Sequence, residues 1–235
     1  MQIAEGIWRV PGSRAAQVYL VAAGDGAVVI DAGFRGASRA ILAAIHASGF
    51  AGRIRAIIVT HAHIDHIGGL PELQQATGAP ICASAGTAAA IEGRAPLPHP
   101  PGLGGRLFRA MSQLLRPTPV TVQRLIAPGA AAPHLPGWRV IGTPGHTPDH
   151  ISLFHRDRRI LIAGDALANL NGLSLPPRFL NSDTSRARRS LALLAGLQPR
   201  SALFGHGAPI IDDASLPDRL HLLARRERSY LRSAV

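Results

Sequence analysis

Thr60-His61-Ala62-His63-Ile64-Asp65-His66-Ile67-Gly68-Gly69, THAHIDHIGG, follows the apolar run Ile54-Arg55-Ala56-Ile57-Ile58-Val59 and crowds three imidazoles and one carboxylate between positions 61 and 66. Residues separated by one spacer in an extended or loop backbone point the same way, so His61 and His63 suit a single ion. Asp65 and His66 turn away as the chain enters a helix near Gly68 and Leu70, where paired glycines fit a tight turn, and they suit a second ion close by. A lone HxH says little. HxHxDH at the exit of an apolar strand is a strong metal signature.

Two ions need more ligands, and each arrives just after another apolar run. Val140-Ile141-Gly142-Thr143-Pro144-Gly145-His146 delivers His146, Ile160-Leu161-Ile162-Ala163-Gly164-Asp165 delivers Asp165, and Ala202-Leu203-Phe204-Gly205-His206 delivers His206. Four strands thus end in ligands. Strand ends are rigid, and one sheet edge gathers them into a single cleft.

Working outward, short apolar runs alternate with helical patterns. The strands expected are 6–10, 17–21, 27–30, 54–59, 138–141, 151–155, 160–163 and 202–204. The helices expected are 37–48, 70–77, 85–91, 185–194 and 216–232. This is mixed α/β with early hairpins rather than a strict βαβ array, and residues 1–235 read as one domain.

A Pro/Gly-rich insertion at 93–119 breaks the rhythm. Within it Leu107, Met111, Leu114 and Leu115 share one helical face, and Arg109, Ser112, Gln113 and Arg116 share the other. Four readings stand: a surface helix packed on its own core, a lid over a pocket, a dimer contact, or a membrane-surface anchor. In the lid reading Leu97, Leu103, Leu107, Phe108 and Met111 cover an acyl chain, Arg106 or Arg109 meets an anionic group, and His99 touches substrate.

The formal charge of +11 raises nucleic acid as a partner, but the charge is diffuse. All of it is arginine, only 186–189 and 225–228 are dense, and aromatics are 4% of the chain, so base-stacking platforms are scarce. A solvated basic face is the expectation, with a small molecule rather than nucleic acid as substrate and a homodimer left open. The N-terminus lacks a basic segment leading into an apolar stretch, and no run approaches the roughly 20 apolar residues of a membrane span, so a cytoplasmic protein is expected. Cys82 is the single cysteine and is read as a buried structural thiol.

Taken together, Asp31-Ala32-Gly33, HAHIDH at 61–66, TPGHTPDH at 143–150, Gly164-Asp165-Ala166 and Gly205-His206-Gly207 resemble, in order, the motifs of the metallo-β-lactamase superfamily, in its branch of hydrolases related to glyoxalase II and the lactonases. The resemblance covers most of the chain. It implies a four-layer αβ/βα sandwich of two mixed sheets with helices outside. It also implies one metal on His61, His63 and His146, a second on Asp65, His66 and His206, Asp165 bridging them, and Asp31 hydrogen-bonding beside the site. His150 is either an orienting partner or a buried structural histidine. His46, His134, His155 and His221 lack ligand context.

Imidazole and carboxylate ligands suit zinc first and manganese or iron next. The open positions of such a set speak against a closed structural cage. Two dications lower the pKa of a bound water toward ~7, and the hydroxide so formed attacks a carbonyl, with Asp65 accepting or shuttling the proton. Departures narrow the branch. Only one helix-length stretch follows His206, where glyoxalase II carries a helical domain for glutathione. Ala168 occupies the position where lactonases usually carry a tyrosine, and Asp149 stands where relatives often have glycine. The expectation is therefore a binuclear hydrolase of a small ester, thioester or lactone. The alternatives are a phosphodiesterase of nucleic-acid type and a mononuclear iron persulfide dioxygenase.

Overall fold

The computed structural model describes residues 1–13 and 15–232. Strands β1 (Gln2–Ala4), β2 (Ile7–Arg9), β3 (Tyr19–Ala23) and β4 (Gly26–Ile30) form an antiparallel meander. Helix α1 (Ser38–Ala47) then carries the chain to β5 (Ile54–Ile58), parallel to β4. After the short helix α2 (Ile64–Ile67) come α3 (Leu70–Thr77), β6 (Ile81–Ala83), α4 (Ala85–Ile91), α5 (Gly102–Leu114) and β7 (Arg124–Leu125). Strands β1 to β7 make one mixed sheet in sequence order.

The second half contributes β8 (Trp138–Gly142), β9 (Ile151–His155) and β10 (Ile160–Gly164), a ribbon of β11 (Ala168–Asn169) and β12 (Leu173–Ser174), α6 (Thr184–Gly196), β13 (Ser201–Phe204) and α7 (Leu216–Arg232). The second sheet has the order β13-β10-β9-β8. Its β8 and β10 both oppose β9 and β13 parallels β10, so three of its strands end at one edge.

Three apolar layers explain the stacking. Val28, Ile30, Ala56 and Ile58 of the first sheet meet Val140, Leu153, Ile162 and Leu203 of the second, so the sheets pack face to face. On the outer side of the first sheet Val29 and Ile57 meet Ile41, Ile45 and Leu73 of α1 and α3. On the outer side of the second, Leu161, Ala163 and Phe204 meet Leu191, Leu194 and Leu220 of α6 and α7. The result is the αβ/βα sandwich of four layers that the motifs implied. Covered on both faces, β4, β5 and β10 read as near-continuous apolar runs instead of alternating ones. Tyr19 ties the sheets together by donating its phenol to the Phe204 carbonyl at 2.8 Å. Cys82 is buried in the same interior layer, as expected.

The insertion departs from one expectation. Its helix α5 does not pack a leucine face on the core: Leu103, Leu107, Met111 and Leu114 are exposed, while Gly105 and Ser112 are buried. Gly105 lies on the Pro100 carbonyl, and the Arg116 guanidinium hydrogen-bonds the Ala90 and Ala95 carbonyls, so the loop anchors hold the helix with its smallest side inward. Among the described residues no helix is long and apolar enough to cross a membrane.

Candidate metal centre

Five chain crossings deliver the polar cluster to the edge shared by both sheets. Asp31 follows β4, His61 and His63 follow β5, Asp65 and His66 sit on α2, His146 follows β8, Asp165 follows β10, and His206 follows β13. All but Asp65 and His206 are buried.

The atoms fall into overlapping groups. His61 Nε2 lies 3.2 Å from His63 Nδ1, which lies 2.9 Å from His146 Nε2. On the other side His206 Nε2 lies 3.2 Å from an Asp65 oxygen, and His66 Nε2 is 3.8 Å from the same oxygen. Asp165 stands between them. Its Oδ2 is 3.4 Å from His146 Nε2 and 3.2 Å from His206 Nε2, and its Oδ1 is 3.4 Å from His66 Nε2. The structure therefore brings together all seven residues that the sequence singled out. Three metal-type triads result: His61, His63 and His146; His61, His66 and Asp165; and Asp65, His66 and His206.

This donor set fits divalent ions. Ligands of a tetrahedral zinc stand about 3.3 Å apart, given bonds of about 2.0–2.1 Å, and the spacings above cluster around that value. His66 Nε2 and Asp165 Oδ1 are buried without any hydrogen-bond partner, an arrangement that costs free energy unless something else satisfies them. The electrostatics agree. Burial, reinforced by neighbouring imidazoles, holds His61 well below its ordinary value and His63 down to about 3, and burial also lowers His146. Burial opposes the charge on Asp65 and Asp165, but His66 and His206 outweigh it, leaving Asp65 at about 2 and Asp165 well below the carboxylate range. Burial would likewise lower His66 and His206. Asp165, Asp31 and Asp65 instead raise His66, and bonds to Asp165 and Asp65 raise His206 to about 10. A pocket that draws protons onto two histidines against burial is one that attracts a dication.

Around the cluster, hydrogen bonds assign the tautomers. His61 Nδ1–H donates to Thr60 Oγ1 at 3.0 Å, Thr60 O–H donates to Asp31 Oδ2 at 2.8 Å, and His66 Nδ1–H donates to the same Oδ2 at 2.8 Å. One carboxylate thereby leaves Nε2 free on both rings. Asp31 does this from the left-handed region, φ +63°, which aspartate tolerates better than most residues. His146 Nδ1–H points at Asn181 Oδ1, 3.3 Å away. His150 is buried beside the cluster and hydrogen-bonds no ligand atom: its Nδ1–H donates to Thr143 Oγ1 at 2.7 Å, and its Nε2 accepts from the Asp165 backbone N–H at 3.0 Å. Gly205 lets the backbone pass close by, since a Cβ there would run into Asp165 Oδ1 and His66.

Beside the cluster lies a cavity of about 340 Å³ lined by Ala62, Leu97, His99, Thr147, Asp149 and Ser182 among others. The side chains grouped as a pocket separate here. His99 and Leu97 line the cavity, Phe108 stands with its ring 5.5 Å from that of His63, and Leu103, Leu107 and Met111 face away from it into solvent. Of the remaining histidines, His155 packs on Trp138 and His221 bonds Gln198. Sequence reasoning missed Thr60, Asn181 and Thr147. Thr60 opens the motif and was within reach of it; Asn181 follows the β11–β12 ribbon with no periodic signal at all.

Comparison with known proteins agrees with this geometry. The family profile described as metallo-beta-lactamase superfamily matches residues 11–206. "Probable metallo-hydrolase YflN" of Bacillus subtilis is 33% identical over 175 residues, 67% of this chain and 66% of that protein. A hydroxyacylglutathione hydrolase of Methylobacterium nodulans is 26% identical over 193 residues, 80% of this chain and 63% of the relative. Among solved structures, a Cronobacter sakazakii metallo-beta-lactamase bearing a HARLDQ motif superposes with a TM-score of 0.74 at 26% identity, covering 100% of this chain and 94% of its own. The chain belongs to the metallo-beta-lactamase superfamily of metal-dependent hydrolases.

Proposed function

We propose that the protein is a binuclear hydrolase, with zinc as the resident metal, that opens the carbonyl bond of a small ester, thioester or lactone. The observation that carries this reading is Asp165, whose two oxygens face the two histidine groups at once. His61, His63 and His146 would hold one ion, Asp65, His66 and His206 the other, and Asp165 would be shared. Bound there, the ions would supply a water of lowered pKa and Lewis-acid polarisation of the carbonyl.

The chain's own residues do the rest. Asp65 is held ionised by His66 and His206 and reaches the cleft, with 22% of its side chain exposed, so it can take a proton from the attacking water and pass it on. Thr147, one residue beyond His146, lines the cavity and carries a buried Oγ1 without a hydrogen-bond partner. Leu97 with Pro96 and Pro98 offers an apolar wall for the acyl portion, and Asp149 at the mouth disfavours an anionic group on that side.

The test is metal content by plasma mass spectrometry on protein purified without added metal, together with a panel of esters, thioesters, lactones and phosphodiesters. The expected result is about two zinc ions per chain and carbonyl turnover that falls steeply in Asp65→Asn with metal retained. One iron without hydrolysis, or phosphodiester turnover alone, would overturn it.

A further inference from the structure

Helix α5 has three faces, and only one belongs to the site. Gly105, Phe108 and Ser112 turn inward, with Phe108 against His63. Leu103, Leu107, Met111 and Leu114, at spacings of four, four and three, form an outward stripe whose exposures are 83%, 75%, 47% and 85%. Arg106, Arg109 and Gln113 form the third face. Neither arginine makes a hydrogen bond or ion pair among the described residues, and the helix holds no acidic residue. Phe179, in the 3-10 turn Arg178–Leu180 that packs against α5, adds a 74% exposed ring.

A contiguous apolar stripe of this kind marks an interaction surface. Charge chooses the partner. A second copy would bring the arginines of two acid-free helices together on chains that each carry +11. An anionic lipid surface offers phosphates to the arginines and hydrocarbon to the leucines. We propose that α5 is an interfacial helix that seats the protein on an anionic bilayer, its leucine stripe in the acyl boundary and Arg106 and Arg109 on the headgroups.

The inner face gives the seating a purpose. Because Phe108 stands on His63, docking holds at the lipid surface the helix that overlies the metal cluster, close to where an amphiphilic acyl substrate would leave the bilayer. That consequence rests on the hydrolase reading; the docking does not.

The experiment is co-sedimentation of the intact protein with phosphatidylglycerol-containing vesicles and with pure phosphatidylcholine vesicles, at low and high salt. Light scattering gives the oligomeric state of the same preparations. The expected result is binding to anionic vesicles that weakens with salt, falls about 30-fold in R106Q/R109Q, and is lost in L103D/L107D. Both variants change exposed side chains, and the metal content of each preparation reports the site separately. Absence of sedimentation with anionic vesicles, or unchanged binding in both variants, would overturn the proposal. So would a dimer that L103D/L107D splits into monomers.

Discussion

With two ions bound as proposed, replacing Asp31 by Asn should remove one and leave the other. Three donors converge on the two Asp31 oxygens: the Thr60 N–H at 2.7 Å, the Thr60 hydroxyl at 2.8 Å and His66 Nδ1–H at 2.8 Å. Asparagine keeps the size and tolerates the positive φ, but it offers a single acceptor oxygen. The backbone N–H cannot adapt, so the amide oxygen stays with Thr60 and the NH2 group faces His66. That ring is then driven to accept at Nδ1 and to carry its proton on Nε2, the atom that faces Asp165 and Asp65. A protonated Nε2 is no ligand. Losing such an orienting partner weakens metal binding by about 10–100-fold, or about 1.4–2.8 kcal/mol. The bond from His61 to Thr60 survives, so the group of His61, His63 and His146 should keep its affinity. Dialysis against graded chelator followed by plasma mass spectrometry should show a plateau at one ion per chain, where the parent retains two. A variant that keeps both ions at parental affinity, or loses both together, would refute the argument.

Gly205→Ala should cost at least as much, because the added Cβ meets Asp165 Oδ1 and the His66 ring and must push both side chains out of the cluster; a drop of about 10-fold or more in metal affinity is expected from the same titration. His150→Leu strands the buried Asp165 N–H and leaves Thr143 Oγ1 bonded to Ser152 alone, at a cost of about 2 kcal/mol. Calorimetry should show Tm lowered by about 4–8 °C, and an unchanged Tm would mean that those groups find other partners.

The long strands and the site were readable because two signals coincided. Strands β4 and β10, and β5 apart from Arg55, are apolar on both faces, and each is closed by a residue whose chemistry has no reason to follow an apolar run unless strand ends meet. Strands β1, β6, β7, β11 and β12 escaped because two or three residues carry no measurable period; pairing to a neighbouring strand, not local sequence, makes them. Asn181 shares that fate, since a hydrogen bond across 35 positions leaves no mark on spacing. Helix α5 taught the opposite lesson. Its amphipathic period was legible, but a period reports that a stripe exists and is silent on which side the core lies, and here Gly105 and Phe108 outrank three leucines and a methionine as anchors.

His63 shows where hydrogen bonding stops holding this site and packing begins. The other three imidazoles of the inner cluster have their second nitrogen fixed, by Thr60, Asp31 or Asn181. In His63 the nitrogen that converges with His61 and His146 is Nδ1, and its Nε2 is buried with no partner. The ring is held instead by edge contact with Phe108, at 5.5 Å between centroids and 68° between planes. Such aromatic pairs contribute about 0.5–1.5 kcal/mol beyond their buried area, so Phe108→Ala should weaken the ion of the His61 group by about 2–13-fold. Phe108→Tyr keeps the edge and should restore it. If Phe108→Ala binds metal as tightly as the parent, His63 is oriented by its backbone alone, and α5 has no energetic link to the centre it overlies.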